Sequence, residues 1–306
     1  MVCNFLFADV LDLNTALQNT YRACVDIDAE LYEMKVLAGI NTAITGVGTG
    51  LGIGAAATGF AKAKTDKRIE DIERLLNEIK QKTKDLPPAE LTFQDIQNLS
   101  TDFDKSYDSA VSKIQKQKEL QQNKDELTTK SKKLGDWRTG LLIGNTATNV
   151  AGAIIANKNK INGDLQSKID NCIANVKSLN DAILSAKISG DDISEAENIY
   201  NACREYEFVD LSPINKRATG ATISSSVGAV ASGIGSITSG MANSDKIRDD
   251  DSDTGKAKER NLNTTSNVLA VGGTIASATA TVFNASQIAT IKKIAKVSEN
   301  CTRVLK

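Results

Sequence analysis

The chain has 306 residues, of which 41% are apolar but only 4% aromatic, so any core it forms is aliphatic. Its 37 Lys and Arg nearly balance its 38 Asp and Glu, which leaves no basic field to hold nucleic acid, and we expect no nucleic-acid partner. The sequence contains no His, which removes the Ser-His-Asp and Cys-His nucleophile arrangements and Cys2His2 zinc sites. The composition therefore favours a non-enzymatic protein without a cofactor or a bound metal, and an enzyme that uses carboxylate, lysine or tyrosine chemistry is the remaining alternative.

An apolar seam is the first pattern in chain order. Its members alternate three and four residues apart, as in a coiled coil, with Thr20 in one polar slot; they are Val10, Leu13, Leu17, Cys24, Ile27, Leu31 and Met34. The same spacing continues to Leu51. The sequence therefore predicts one helix from about Asp9 to Asp85, roughly 110 Å long at 1.5 Å per residue.

Four stretches carry no charge and consist mainly of Gly, Ala, Ser and Thr: residues 36–61, 139–157, 218–244 and 261–291. In each, the larger aliphatic residues form one narrow stripe at helical spacing. The clearest stripe is Ile223, Val227, Val230, Ile234, Ile237 and Met241. We interpret these stripes as the seams along which four helices pack in a bundle.

Small residues form a second set of rows, spaced four apart, beside the stripes. Such rows let helix backbones approach closely. The glycines predicted to pack helices in this way are Gly46, Gly50, Gly54, Gly144, Gly152, Gly228, Gly240 and Gly272. Glycine also alternates with period two between Gly46 and Gly54, which is an alternative signal for a strand. In composition, the uncharged stretches resemble glycine-zipper segments of envelope-associated bacterial proteins.

Charged segments separate the stretches. Residues 64–136 form a long connector of amphipathic character, interrupted at Pro87-Pro88. The run from Asp245 to Arg260 has no apolar periodicity and predicts an exposed hairpin loop. Trp137 stands next to Arg138 before the second stretch, a position that suits either a membrane interface or an anchor against a neighbouring helix.

An internal duplication is indicated by matches between the two halves of the chain. Tyr21-Arg-Ala-Cys24 recurs as Tyr200-Asn-Ala-Cys203, and Asn171-Cys172 recurs as Asn300-Cys301. Each half runs from a cysteine through two small-residue helices to a second cysteine.

We therefore expect two domains: residues 1–190, which include the connector 64–136, and the shorter half 191–306. The predicted fold is all-α, an elongated helical bundle or coiled coil of two duplicated antiparallel hairpins with Gly/Ala/Ser-rich interfaces.

The duplication also predicts how the cysteines pair. If each half is an antiparallel hairpin, its first and last cysteines lie at the same end, which predicts Cys24–Cys172 and Cys203–Cys301 disulfides and leaves Cys3 over. Disulfides place the protein outside the cell or in the cell envelope or periplasm. The alternative is that all five are free, small apolar residues of a cytoplasmic protein.

Two motifs resemble known sites but fail on context. Residues 52–57 fit a relaxed dinucleotide fingerprint, yet no strand precedes them and no βαβ pattern follows. The acidic run 249–253 has the spacing of a calcium loop, but Thr254 and Arg260 occupy the positions of the required Gly and Glu.

The uncharged stretches are long enough to cross a bilayer, but their Ser, Thr and Asn content favours a water-soluble bundle. The sequence therefore predicts a rod-like structural or interaction protein, exported or envelope-associated. Its expected partner is another protein or a second copy, bound through helices, with a membrane surface also possible. The alternative is a membrane-active, pore-forming protein that inserts glycine-rich hairpins.

Overall fold

The computed structural model describes residues 12–84, 95–248, 250 and 252–305, and within them the protein is all-helical, without a strand. Eight α-helices occur in this part of the chain, together with a 3₁₀ turn at Arg204–Phe208. The helices are α1 Leu13–Cys24, α2 Ile27–Lys84, α3 Asp95–Lys158, α4 Gly163–Ser189, α5 Ser194–Cys203, α6 Ser212–Ala242, α7 Asp245–Arg248 and α8 Asp253–Leu305.

Helix boundaries differ from the sequence prediction at two places. The chain leaves the helix between Cys24 and Ile27, so α1 and α2 replace the single helix expected from Asp9. The predicted hairpin loop from Asp245 to Arg260 is wrong, since α7 occupies its start and α8 begins at Asp253. The region of alternating glycines in α2 is helical, which excludes the strand alternative. The predicted break at Pro87-Pro88 lies outside the described residues.

Local sequence explains several helix ends. The Asn162 side chain caps α4 by accepting a hydrogen bond from the Leu165 amide at 2.7 Å. Gly190 ends the same helix with φ +80°, a left-handed conformation that favours glycine. Before α6, the Asp210 carboxylate accepts a hydrogen bond from the Ser212 amide, and Pro213 occupies the first turn, where its missing N–H costs nothing.

The chain divides into two compact units, and each takes segments from both sequence halves. The first unit combines the residues up to Gly50 with Asn145–Val230 and the residues from Gly273 onward. The second unit combines Leu51–Gly144 with Ala231–Gly272. The boundary predicted at residues 190 and 191 therefore does not separate compact units.

Helices α2, α3, α6 and α8 pack together within each unit, and helices that follow each other in this order run antiparallel. In the first unit, Gly48 of α2 lies against Thr148 of α3. In the second unit, Gly54 of α2 lies against Leu141 of α3, further toward the start of α3. Contacts between α6 and α8 run in opposite directions in the same way. Gly220 meets Phe283 in the first unit, and Ser266 donates a hydrogen bond to the Gly235 carbonyl in the second.

An apolar core fills the part of the first unit that contains α1, α4 and α5. Its fully buried members include Ile27, Leu31, Ile169, Leu179 and Tyr206. The predicted apolar seam of α1 and early α2 points into this core from Thr20 to Met34, as expected. Burial of such aliphatic side chains stabilises the fold by about 1.5–3 kcal/mol each.

Two disulfides lie within this core, and their four cysteines are fully buried. Cys24, the last residue of α1, is bonded to Cys172 of α4, and Cys203, the last residue of α5, is bonded to Cys301 of α8. These are the two pairs expected from the duplication. Cys3 lies outside the described residues.

We expect peptide mapping under non-reducing conditions to recover both disulfides from the purified protein. Replacing Cys24 and Cys172 together by Ala should lower the free energy of unfolding by about 2–5 kcal/mol, because the unfolded chain regains the freedom of a long closed loop. Thermal unfolding followed by circular dichroism measures this loss. The exposed serine pair Ser178→Ala and Ser189→Ala on α4 is the control, and free thiols at all four cysteines would contradict the assignment.

Candidate functional site

The uncharged stretches bury their small and polar residues. Along α2 the inward row of the two units consists of Ala38, Asn41, Thr45, Gly48, Gly52, Ala55 and Gly59, spaced three and four apart. On α6 the inward row is Ala218, Ala221, Ser225, Gly228, Ser232, Gly235 and Ser239. The corresponding rows of α3 and α8 are similar, and Leu142 and Ile291 are large aliphatic residues within them. Such rows leave little apolar surface at the centre of each unit.

Hydrogen bonds between helices connect the inward rows of the first unit. Asn149 of α3 donates to Ser277 of α8 at 2.8 Å, and Ser277 also lies 3.2 Å from the Asn145 side-chain oxygen. Asn41 of α2 donates to the Asn284 side chain of α8 at 3.0 Å. All five side chains are buried. Because a buried polar group without a partner is costly, these pairs fix which helices meet and in which register.

Arg138 organises the second unit. This fully buried side chain of α3 donates three hydrogen bonds: from Nε to Ser239 at 2.9 Å, from Nη1 to Asn267 at 2.8 Å and from Nη2 to Asn263 at 2.7 Å. One guanidinium thus joins α3 to α6 and α8. Burial lowers the pKa of Arg138 to about 10, with the Asp66 carboxylate acting in the opposite direction, so the side chain stays protonated at neutral pH.

A second buried cation lies on α2 of the same unit. Lys62 is 1% exposed, and its Nζ pairs with Asp66 at 2.8 Å and with Glu259 of α8 at 3.1 Å. Ser131 of α3 donates a hydrogen bond to the same Asp66 carboxylate. Lys62 is the first charged residue after the stretch 36–61, and Arg138 is the last one before the stretch 139–157. Inside the unit, Lys62 is paired with two carboxylates and Arg138 is hydrogen-bonded to three side chains.

The eight predicted packing glycines have different surroundings. A Cβ on Gly152 would lie 2.8 Å from Thr45, and one on Gly228 would lie 2.8 Å from the Asn149 side chain. Gly54, Gly144 and Gly240 each face a single side chain, respectively Leu141, Leu51 and Thr139. A Cβ added at Gly46, Gly50 or Gly272 would meet no atom within 4 Å. The sequence rows missed Gly48, Gly59 and Gly235, where close neighbours also occur.

The aliphatic stripes point outward, so their interpretation as packing seams is wrong. All six stripe residues of α6, from Ile223 to Met241, are 45–64% exposed. The stripe of α8 is exposed in the same way, at Val268, Val271, Ile275 and Val282. Of the stripe predicted in α2, Ile40 and Val47 are exposed, whereas Leu37, Ile44 and Leu51 are half-buried. Other exposed apolar side chains in the stretches of α2 and α3 are Val36, Ile53, Phe60, Ile143, Val150 and Ile154. The physical reason is that small residues pack more closely at the centre, which leaves the large side chains on the opposite face.

Within the first unit, the face of the helix that carries the large aliphatic side chains changes from buried to exposed where the uncharged stretch begins. On α6, Leu211 and Ile214 are buried just before the uncharged stretch, whereas Ile223 and Val227 within it are exposed. On α2 and α8 the same change separates buried Ile27, Leu31, Ile291 and Ile294 from exposed Ile40, Val47, Ile275 and Val282. One unit therefore contains a conventional apolar core and an inverted region with apolar side chains outside.

Three helical segments of the described chain are long and apolar enough to cross a membrane: Leu13–Gln81, Gln115–Ser189 and Asp253–Leu305. Only 28–33% of the residues in their most apolar windows are buried. Trp137 is 66% exposed and lies beside a shallow depression lined by Asp136, Gly140 and Leu141.

In the described part of the chain, no group of three or more Cys, Asp or Glu side chains is placed to hold a metal ion. No family model, curated protein or solved structure matches this sequence. The uncharged stretches, which bury small and polar side chains and expose aliphatic ones, are the most unusual feature of the described chain.

Replacing Arg138 by Met keeps an apolar side chain of similar length but removes the guanidinium. Ser239, Asn263 and Asn267 then lose the hydrogen bonds that they accept from Arg138. We expect a loss of about 2–5 kcal/mol in the free energy of unfolding. The matched control is Arg74→Met in the same unit, where the arginine side chain is 69% exposed and pairs with Asp71 at 3.1 Å. That change should stay within about 0.5 kcal/mol. Equal effects of the two variants in denaturation curves would contradict the role given to Arg138.

Gly228→Ala and Gly272→Ala should have opposite effects. At Gly228 the new methyl group meets the buried, hydrogen-bonded Asn149, and we expect a loss of about 1–3 kcal/mol from overpacking. At Gly272 the methyl group enters open space, so higher helix propensity should stabilise the protein by about 0.5–1 kcal/mol. Melting temperatures of the two variants provide the comparison, and stabilisation by both would show that the helices are not closely packed at Gly228.

Proposed function

We propose that this is a non-enzymatic protein that inserts the uncharged stretches of α2, α3, α6 and α8 into a lipid bilayer. The reversal of polarity inside the first unit supports this proposal most strongly. Beside the charged residues, Leu31 of α2, Ile214 of α6 and Ile294 of α8 are buried. Within the uncharged stretches of the same helices, Ile40, Ile223 and Ile275 face out. Water accounts for the first arrangement, and a hydrocarbon environment accounts for the second.

Stretch lengths and their flanking residues fit this proposal. The shortest, 139–157, would measure about 28 Å as a helix, close to the hydrocarbon thickness of roughly 30 Å. Charged residues bracket each stretch: Lys35 and Lys62, Arg138 and Lys158, Arg217 and Asp245, Arg260 and Lys292. The exposed Trp137 stands at one such limit, where an indole ring prefers the membrane interface.

The energetic argument concerns the exposed aliphatic side chains. Each Val, Leu or Ile side chain gains about 1.5–3 kcal/mol on complete transfer out of water. With more than a dozen such residues roughly half exposed on the uncharged stretches, contact with lipid would supply on the order of 10 kcal/mol or more. An isolated molecule in water forgoes this contribution.

Packing by small residues is the second part of the proposal. In lipid, helices associate through close backbone approach and interhelical hydrogen bonds, because apolar contact with a neighbouring helix offers no advantage over contact with lipid. The inward Gly, Ala and Ser rows and the Asn149–Ser277 and Arg138–Asn267 bonds supply both. We further propose that the two hairpins, α2–α3 and α6–α8, descend from a duplication.

The disulfides support a place in the cell envelope or another membrane that borders an oxidising compartment. The surface of the region around α1, α4 and α5 and the charged parts of α2 and α3 would lie in water and are available for a protein partner or a second copy. A water-soluble, rod-like scaffold is the competing function, and it differs in requiring no lipid.

Ile234→Lys should impair insertion because it places a charge on the outward face within a stretch, at a cost of about 2.5–3.5 kcal/mol near the bilayer centre. Ile188→Lys is the matched control, since Ile188 is 89% exposed on α4 and outside the stretches. Flotation with phosphatidylcholine vesicles and extraction with alkaline carbonate measure the membrane-bound fraction. We expect the unmodified chain and Ile188→Lys to float and resist extraction, and Ile234→Lys to do so less.

If the unmodified chain purifies without detergent as a stable monomer and does not float with vesicles, the insertion proposal is overturned and the scaffold function is supported.

A further inference from the structure

Resting on the proposed insertion, we infer that the chain crosses the membrane four times, with both disulfides on the oxidising, extracytoplasmic side. The segments 62–138 and 245–260 then face the cytoplasm. This assigns a side of the membrane to every aqueous segment of the protein, and it includes α6, which hydropathy alone does not select.

The number of crossings follows from the cysteine pairs. Apolarity selects the segments that contain the first, second and fourth uncharged stretches, but not α6. Three crossings would leave Cys203 and Cys301 on opposite sides of the bilayer, because only the fourth stretch would separate them. Their disulfide requires an even number of crossings between them. Since the fourth stretch crosses, the third must cross as well.

The low apolarity of α6 has a structural explanation that agrees with crossing. Three of its serines, Ser225, Ser232 and Ser239, are fully buried and therefore do not face lipid, whereas Ser226 is exposed. The six residues of its aliphatic stripe are all exposed. An average over the helix counts both faces equally, whereas the bilayer contacts only the outer one.

Cys24 and Cys172 obey the same rule, since the two stretches that lie between them are both in segments long and apolar enough to cross. All four bonded cysteines therefore belong to segments on one side: those before 36–61, between 157 and 218, and after 261–291. Disulfides persist in oxidising compartments and are reduced in the cytoplasm, which sets the orientation.

Cysteine labelling in intact bacterial cells tests the assignment with the full chain. Cys3 is first replaced by Ala, and single cysteines are then introduced at exposed positions: Ser189→Cys before α6, Ala257→Cys after it, and Gln122→Cys in the connector. A membrane-impermeant maleimide should label Ser189→Cys in intact cells. It should label Ala257→Cys and Gln122→Cys only after the inner membrane is permeabilised. The Cys3→Ala parent should remain unlabelled.

Each other result has a defined meaning. Labelling of Ala257→Cys in intact cells together with Ser189→Cys would show that α6 does not cross and would overturn the four-crossing topology. Labelling of Gln122→Cys and Ala257→Cys, but not Ser189→Cys, would overturn the orientation. Alkaline carbonate treatment of the same cells separates these outcomes from failure of the insertion proposal, in which the chain would be extracted from the membrane fraction.

Discussion

Close contact between the small and polar faces of α2, α3, α6 and α8 is the constraint on which the rest of the structure depends. Glycine and serine at the centre of each unit bring the backbones together, and buried asparagines select the register through bonds such as Asn149 to Ser277. Because the small faces occupy the interior, the large aliphatic side chains remain outside. The exposed apolar surface is therefore a direct consequence of how these helices associate.

The same chain also folds by the ordinary rule for water. Around α1, α4 and α5, Ile27, Leu179 and Tyr206 are fully buried, and charged residues such as Lys168 and Glu30 pair at the surface. The two arrangements meet on continuous helices without a loop between them. The transition coincides with the point where charged residues give way to Gly, Ala, Ser and Thr, while the helical spacing of the buried residues continues.

Helical structure and the cysteine pairs were predictable from sequence, because periodicity and symmetry report them directly. The direction of the aliphatic stripes was not, since stripe and small-residue row share the same spacing and differ only in which face the surroundings favour. The sequence did contain one signal for the inward face. Asn41, Asn145, Asn149 and Asn284 are polar amides within the uncharged stretches, and each needs a buried hydrogen-bond partner. The break after Cys24 carries no Gly or Pro, and the three bonds of Arg138 join residues more than one hundred positions apart.

Both disulfides connect the end of a short helix to a long one, and the order of events during biogenesis follows from this. In a membrane with the topology inferred above, Cys203 meets Cys301 only after α6 and α8 have both crossed. Oxidation then turns each hairpin into a covalent ring threaded through the bilayer, which neither helix can leave alone. The disulfides would thus form only after insertion is complete and would then make it difficult to reverse.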